Sequence, residues 1–220
     1  MSDIAQFISY SAGRIKRRLI ACRKRLISYI ITLRAYRYAK KYYPLSLQIF
    51  THLTVDEKYK LYVLARDVSK MQNAIFLEIG SYLGASAVVI ASALSNNSIL
   101  YCVDTWQNET MDEGLRDTFA EFTENTKTLA SRIIPLRGRS EIVASSFDFP
   151  LNFIFFDGDH SYEGIKTDVD NWLPKLVNGG IVVFHDSGWA EGVQQVIKDD
   201  IMPRCAEYGT LPNMFWAKLL

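Results

Sequence analysis

Cysteine is scarce in this sequence, and long apolar runs are absent. Only three cysteines occur among 220 residues, Cys22, Cys102 and Cys205. They are odd in number, scattered and without the spacing of a metal site, which indicates a reducing, cytoplasmic setting. The longest apolar run of the amino-terminal region, 26–33, falls well short of the roughly 20 residues of a membrane-spanning helix. Basic residues at 23–25 also interrupt the apolar core that a cleaved signal peptide needs.

The sequence also lacks the G-x-G-x-x-G pattern of dinucleotide-binding proteins. Two positions after Gly80, where that pattern requires a second glycine, the chain has Tyr82. What remains is E-x-G-x-x-x-G, from Glu78 to Gly84, between an apolar run and a helical pattern. Gly80 permits a sharp turn, and Gly84 permits the first helical turn to lie close to a ligand, with its free N–H groups facing the crevice. The stretch predicts a strand, a turn and a helix that bind a nucleotide-type ligand, and it disfavours the alternative of an NAD-type oxidoreductase.

A formal net charge of +1 hides a strong separation of charge along the chain. Residues 1–44 contain eleven Lys or Arg and a single acid, whereas residues 45–220 carry an excess of acids. Apolar residues recur at steps of three and four from Ile15 to Leu33, which predicts an amphipathic helix. We therefore divide the chain into a basic helical arm, 1–44, and a domain, 45–220. The arm can pack on the domain or on a second subunit of a homo-oligomer, or lie on an anionic membrane surface; nucleic acid is the least favoured partner.

Apolar strands and amphipathic helices alternate along the domain, which predicts an α/β fold with a doubly wound, mostly parallel sheet. The predicted strands are 75–79, 98–104, 133–136, 152–156, 181–184 and 214–220. The last of them is expected in an antiparallel pair at the sheet edge. The predicted helices are 54–68, 117–129, 162–177 and 191–201. A capping box is predicted at Thr54, and residues 107–114 are expected to form a mobile loop.

An acid ends the second predicted strand. Asp104 stands twenty-four residues after Gly80, where an acid can accept hydrogen bonds from the hydroxyls of a ribose. Thr105 and Trp106 follow directly, and the indole is expected to cover the face of an adenine base. The order of these residues therefore predicts a nucleoside-binding loop.

Polar side chains also end the other central strands. Because the carboxyl ends of parallel strands meet at one edge of a sheet, we expect these side chains to converge on a single ligand site. The strand-end residues are Glu78, Asp104, Asp157, His185 and Asp186.

A longer motif spans the second half of the domain. The string F-D-G-D-H-S-Y-E-G at 156–164 is followed by G-G at 179–180 and H-D at 185–186. Over residues 50–190 the sequence resembles a bacterial family of class I S-adenosylmethionine-dependent O-methyltransferases, related to the catechol-type and antibiotic-sugar enzymes. The resemblance implies a Rossmann-like, seven-stranded sheet with the basic arm as an addition, and S-adenosylmethionine as the cofactor.

The resemblance also implies roles for individual residues. Glu78 and the loop after it would line the methionine and ribose end of the cofactor, Asp104 would hold the ribose, and Gly138 would belong to the adenine-side turn. The residues expected to bind the cofactor are Glu78, Gly80, Ser81, Tyr82, Gly84, Asp104, Thr105, Trp106, Gly138, Ser140 and Asp157.

The same resemblance raises the question of a metal. Asp157 matches the first ligand position of the metal-dependent relatives, and His185 and Asp186 match a later pair at which those relatives usually have two oxygen ligands. Neighbouring carboxylates repel each other unless a cation lies between them. We therefore predict a divalent cation, Mg²⁺, Mn²⁺ or Zn²⁺, bound by Asp157, His185 and Asp186.

Methyl transfer to oxygen requires a deprotonated nucleophile and an in-line approach. The catalytic lysine of the catechol-type enzymes has no counterpart, so His160 is the candidate base beside a metal, and His185 is the candidate base of a metal-free site. The predicted function is methylation of a hydroxyl of a small molecule or glycan. A protein that binds the cofactor without turnover is the alternative.

Overall fold

The computed structural model describes residue 23 and residues 26–95, 97–108 and 114–220. The strands are β1 (Ile75–Ile79), β2 (Ile99–Asp104), β3 (Ile133–Arg137), β4 (Leu151–Phe156), β5 (Leu176–His185), β6 (Cys205–Leu211) and β7 (Met214–Leu219). They form one sheet in the order β3-β2-β1-β4-β5-β7-β6. Strands β1 to β5 are parallel, and β7 pairs antiparallel with β5 and β6. This topology confirms the predicted fold.

Helices cover both faces of the sheet. They are α1 (26–42), α2 (Val55–Val68), α3 (Ala85–Ala93), α4 (Phe119–Thr126), α5 (Ser140–Ser145), α6 (Tyr162–Trp172) and α7 (Glu191–Val196). Successive strand residues point to opposite faces. In β1, Phe76 is therefore buried in a core cluster with residues of α2 and α3, and Leu77 in a second cluster with residues of α6 and α7. Two apolar layers hold the strand ends in fixed relative positions.

The structure differs from the prediction at the ends of three helices. A 3₁₀ turn, Lys127–Leu129, follows α4, a π turn, Ile197–Ile201, follows α7, and α6 ends early. The pattern predicts 162–177, whereas α6 ends at Trp172 and a 3₁₀ turn, Leu173–Lys175, leads into β5. Pro174 explains the early end, because proline lacks the N–H that an α-helical hydrogen bond requires. The segment 178–180, expected to stop the helix, lies inside β5, where the register against β4 shifts.

The end of the predicted arm packs on the domain. Ala35, Ala39 and Tyr43 are buried, and the last two share a core cluster with Tyr62 of α2. The start of the arm's apolar stripe, before residue 23, lies outside the described residues, as does most of the loop predicted to be mobile (109–113). The division of the chain at residue 44 stays a prediction.

Candidate active site

A cavity of about 1140 Å³ opens at the carboxyl edge of the sheet, at the loops after β1 to β5. The chain connections diverge between β1 and β4, and open α/β sheets bind ligands at such a switch point. The volume exceeds the roughly 1000 Å³ at the upper end of ordinary small-molecule sites, which leaves room for a nucleoside and a second ligand. The predicted site residues that line the cavity are Gly80, Ser81, Tyr82, Asp104, Thr105, Gly138, Ser140, Asp157, His160, His185 and Asp186.

Gly80 turns the chain at the end of β1 and allows two loops to approach each other. Its φ is +83°, and a Cβ at this position would lie 2.1 Å from the carbonyl oxygen of Asp157. Any side chain would therefore force the loops after β1 and β4 apart. Gly84, with φ +87°, stands at the start of α3, and its α-carbon faces Phe122 of α4.

Glu78 lies beneath the loop after β1 instead of on the cavity wall. Its side chain is fully buried, and Oε2 accepts hydrogen bonds from the Ser81 hydroxyl at 2.6 Å and from the Cys102 thiol at 3.4 Å. Oε1 is buried and has no hydrogen bond to any residue that the structure describes. Burial raises the pKa of Glu78 to about 7, although the Ser81 hydroxyl opposes the shift. Glu78 therefore supports Ser81 from below.

Replacing Glu78 by glutamine is expected to remove a pH dependence of stability. Because its pKa is about 7 in the folded state against an ordinary 4.5, Glu78 holds a proton between these values only when the protein is folded. As pH rises through this window, the free energy of unfolding of the wild type should therefore fall by roughly 2–3 kcal/mol relative to that of Glu78→Gln. Urea unfolding at each pH measures both. An exposed control, Glu124→Gln, should leave the wild-type profile in place. Parallel profiles for wild type and Glu78→Gln would contradict a buried, protonated Glu78.

Asp104 is held rigidly at the end of β2. Oδ2 accepts the Tyr82 N–H at 2.8 Å, and Oδ1 accepts the Trp106 N–H at 2.7 Å. Burial raises the pKa of Asp104, and these two amide bonds oppose the rise. Each carboxylate oxygen keeps a further lone pair. The geometry therefore suits acceptance of two ribose hydroxyls.

Trp106 occupies a different place from the one expected. Its indole is fully buried in the core against Phe119 and Phe122, and Nε1 donates to the carbonyl oxygen of Tyr82 at 2.9 Å. It lies behind the cavity wall, where it ties the loops after β1 and β2 together, and Thr105 is the neighbour that lines the cavity. The physical reason is the large apolar area of tryptophan, because its burial in a core contributes more favourable free energy than its exposure at an open site.

The turn predicted to border adenine follows β3. The Gly138 N–H donates to the Asp104 carbonyl at 2.9 Å, which places Ser140 at the start of α5 on the cavity wall. Trp172 of α6 donates to the Ser140 hydroxyl at 2.7 Å. Asp168 also lines the cavity, and burial raises its pKa to about 6. Asp168 lies between the two parts of the sequence motif, and nothing in its spacing indicates that it faces the cavity.

Two histidines and two carboxylates converge at the ends of β4 and β5. His160 Nε2 lies 2.7 Å from Asp186 Oδ2, and His185 Nδ1 lies 3.0 Å from Asp157 Oδ1 and 3.2 Å from Asp186 Oδ2. His185 is almost completely buried, whereas the His160 side chain is 41% exposed. His160 is thus the histidine that an incoming ligand can reach.

Asp186 is fixed by neighbours that the sequence does not reveal. Its φ is +57°, a left-handed conformation that aspartate and asparagine tolerate better than most residues. Oδ1 accepts Trp189 Nε1 at 2.8 Å and Asn213 Nδ2 at 2.9 Å. Trp189 is itself 62% exposed and lines the cavity beside His160.

Glu57 approaches the same cluster from α2. Its Oε2 completes the predicted capping box by accepting the Thr54 N–H at 2.7 Å, and it also lies 3.7 Å from His185 Nε2. Burial alone would lower the pKa of His185, but the carboxylates of Asp157, Asp186 and Glu57 outweigh it and raise this pKa to about 12. His185 is therefore a buried imidazolium between three acids. The capping box predicts only that Glu57 stabilises the start of a helix. The sequence does not indicate that Glu57 also lies beside His185.

The structure brings the predicted metal ligands Asp157, His185 and Asp186 together, and it places His160 beside them. Ligand atoms of Asp157, His160 and Asp186 all lie within 4.8 Å of one another. The side chain of His185, predicted as the third ligand, is buried, with Nδ1 against Asp157 and Asp186 and Nε2 toward Glu57. Asp157, His160 and Asp186 are therefore a second candidate set, and the predicted set with His185 stays a prediction.

The fold and the site together define a class I methyltransferase, with a nucleoside-binding loop after β1 and β2 and an acid–histidine cluster after β4 and β5. The chain belongs to a methyltransferase family, because the family model described as "Methyltransferase domain" matches residues 77–187, half of the chain. The predicted methyltransferase domain is confirmed.

Known relatives agree with this assignment. A protein of Sinorhizobium fredii, y4gI, is 25% identical over 116 residues, which are 50% of this chain and 13% of that protein, so the chain spans a small part of that relative's length. The O-methyltransferase NovP has a TM-score of 0.64 at 16% identity, over 77% of this chain and 83% of NovP. TomG of Streptomyces achromogenes, an O-methyltransferase solved with S-adenosylmethionine, has a TM-score of 0.61 at 15% identity, over 86% and 89%. These likenesses show the fold.

Proposed function

We propose that the protein transfers the methyl group of S-adenosylmethionine to a hydroxyl oxygen of a small molecule or glycan. The observation that carries the proposal is one cavity that joins the nucleoside loop around Asp104 to the cluster of Asp157, His160 and Asp186. The solved relatives NovP and TomG are described as O-methyltransferases, and MycE, of the mycinamycin pathway, was solved with Mg, the demethylated cofactor and mycinamycin VI. They support an oxygen acceptor and a small-molecule substrate.

The residues present fit S-adenosylmethionine. The absence of a side chain at Gly80 keeps the loop close to Asp157, and the fixed carboxylate of Asp104 can accept two ribose hydroxyls. Thr105, Gly138 and Ser140 then border the base. The bound cofactor supplies a methyl group on a positively charged sulfur. We assign Glu78 and Trp106 to the support of this site, because both lie behind its wall.

The acid–histidine cluster fits a divalent cation. Two carboxylates and one imidazole within 4.8 Å of one another match the ligand types that Mn²⁺ and Zn²⁺ accept, and Mg²⁺ accepts the two carboxylates. When bound, such an ion lowers the pKa of a hydroxyl that contacts it. Asp157 and Asp186 supply the charge, and Trp189 and Asn213 hold Asp186 in place.

We assign the two histidines different roles. His185 has one ring nitrogen against Asp157 and the other toward Glu57, so neither is directed at the cavity to accept a proton. It orients Asp157 and offsets the negative charge of the cluster. His160, half exposed and paired with Asp186, is the group that can bind a cation or, in a metal-free site, accept the proton of the acceptor hydroxyl.

Exposed aromatic side chains mark the acceptor end of the cavity. Phe50 is 56% exposed and Trp189 is 62% exposed, and both line the cavity. Open aromatic faces suit the apolar face of a sugar ring or an aromatic ring. A screen of phenols, glycosides and oligosaccharides with methyl-labelled S-adenosylmethionine tests the proposal. Transfer of label to carbon or nitrogen, or to no compound, would contradict it.

Replacing Asp104 by alanine is expected to weaken binding of S-adenosylmethionine by on the order of 1–3 kcal/mol, since the buried ribose hydroxyls would lose their acceptor. Isothermal titration calorimetry measures the change. Asp148→Ala, in an exposed loop, is the matched control and should bind as the wild type does. Unchanged affinity of Asp104→Ala, or binding of NAD by the wild type, would contradict the cofactor assignment.

We also propose a cytoplasmic location. Cys102 and Cys205 are free thiols, as expected in a reducing compartment, and Cys102 is buried next to Glu78.

A further inference from the structure

Helix α1 consists of two parts with different surroundings. Its second part is anchored, because Ala35 and Ala39 are buried and the ring of Tyr38 packs edge-on against Tyr59 at 5.0 Å. In its first part, 26–34, every residue is exposed. The first part is therefore exposed along its length, and it contacts the domain through the Thr32 hydroxyl, which donates to Asp56 Oδ2 of α2 at 2.9 Å.

The side chains of this first part of α1 are mainly apolar. Six of its nine residues are large apolar side chains, each at least 40% exposed: Leu26, Ile27, Tyr29, Ile30, Ile31 and Leu33. Monomeric soluble proteins rarely expose a continuous apolar patch of this kind without a binding role. A helix that is apolar over most of its circumference is normally covered.

Positive charge continues the same helix. Leu26, Ile30, Leu33 and Arg37 follow one another at steps of four, three and four, so the outward apolar stripe ends in a cation. The exposed residues of the next turns are Arg34, Tyr36, Arg37, Lys40, Lys41 and Tyr42.

Charge identifies the kind of surface that covers the helix. Residues 1–44 contain eleven Lys or Arg and one acid. A second copy of this helix would bring two such segments together, and like charges repel. Nucleic acid would satisfy the cations but leave the six apolar side chains in water. An anionic lipid surface accommodates the cations and the apolar side chains together. Each nearby Lys or Arg strengthens binding about fivefold, and the apolar side chains enter the acyl boundary.

We propose that α1 binds the surface of an anionic membrane, with Leu26, Ile30 and Leu33 below the headgroups and Arg34 and Arg37 against the phosphates. None of the described helices is long and apolar enough to cross a bilayer, so α1 lies in the interface. The anchored end holds the domain beside the membrane. The proposal is independent of the methyl-transfer reaction.

Co-sedimentation of the full chain with vesicles tests the proposal. We expect binding to phosphatidylcholine vesicles with about 30 mol% phosphatidylglycerol, and at least tenfold weaker binding to pure phosphatidylcholine or at about 0.5 M salt. The double variant Leu26→Asp/Ile30→Asp, and separately Arg34→Gln/Arg37→Gln, should each reduce binding at least about tenfold. The control Ile142→Asp, which changes an exposed apolar residue of α5, should bind as the wild type does.

The experiment also measures the affinity of each variant for the cofactor and the molar mass of the protein in solution. All variants should bind S-adenosylmethionine as the wild type does, so a failure at the membrane is distinguishable from a failure of the proposed function. Wild type that ignores anionic vesicles overturns the proposal. So does a wild-type dimer in solution that Leu26→Asp/Ile30→Asp converts to a monomer, because a second copy would then cover the helix.

Discussion

Replacing Asp186 by asparagine is expected to lower kcat/KM at least about 100-fold and to change the affinity for S-adenosylmethionine less than about threefold. Asparagine keeps the shape of the side chain and tolerates the left-handed φ of +57° at this position, so the fold is preserved. It removes the negative charge that His160 and His185 share. Steady-state kinetics with the acceptor found by the screen, and calorimetry with the cofactor, measure the two quantities.

The matched control for Asp186→Asn is Asp148→Asn, which removes a carboxylate from an exposed loop and should leave kcat/KM unchanged. Near-normal turnover by Asp186→Asn would show that the acid–histidine cluster is not the reaction centre. Loss of cofactor affinity in proportion to activity would instead assign Asp186 to the cofactor site. Retained affinity with lost turnover also separates the enzyme from a protein that only binds the cofactor.

The fold was predictable because its signals are local. Each central strand is a short apolar run that ends in a polar residue, and periodicity of this kind specifies both the strand and its buried environment. The E-x-G-x-x-x-G stretch predicts the turn at Gly80, where a Cβ would collide with Asp157. The error at 162–177 arose because the prediction ended the helix before Gly179 and Gly180, although Pro174 ends it earlier.

The site was predictable to the level of strand ends and not to the level of side-chain contacts. Parallel strands bring Asp104, Asp157 and Asp186 to one edge whatever their neighbours are. Which histidine faces the cavity depends on side-chain packing across the sheet, so the roles of His160 and His185 could not be separated in the sequence. Glu57 contacts His185 from a helix about 130 positions earlier in the chain. Its capping box already accounts for an acid at this position, so the sequence gives no reason to expect the contact.

Removal of divalent ions is expected to lower the activity of the enzyme at least about 100-fold, because the acceptor hydroxyl would then lose the charge that lowers its pKa. After dialysis against a chelator, activity should return on addition of Mn²⁺ or Zn²⁺ at lower concentrations than of Mg²⁺. The reason is the imidazole of His160 in the set with Asp157 and Asp186, since nitrogen ligands favour transition ions over Mg²⁺.

Direct measurement of Mn²⁺ binding separates the two candidate roles of His160. By calorimetry of the chelator-treated protein, His160→Asn should weaken Mn²⁺ binding about 10–100-fold, whereas His52→Asn, the histidine outside the cluster, should not. His185→Asn should reduce binding less than His160→Asn, because both ring nitrogens of His185 already face carboxylates. Full activity in excess chelator, with no Mn²⁺ bound, would rule out the metal. The proton of the acceptor would then go to Nδ1 of His160, because Nε2 donates to Asp186, and His160→Asn should abolish turnover at unchanged cofactor affinity.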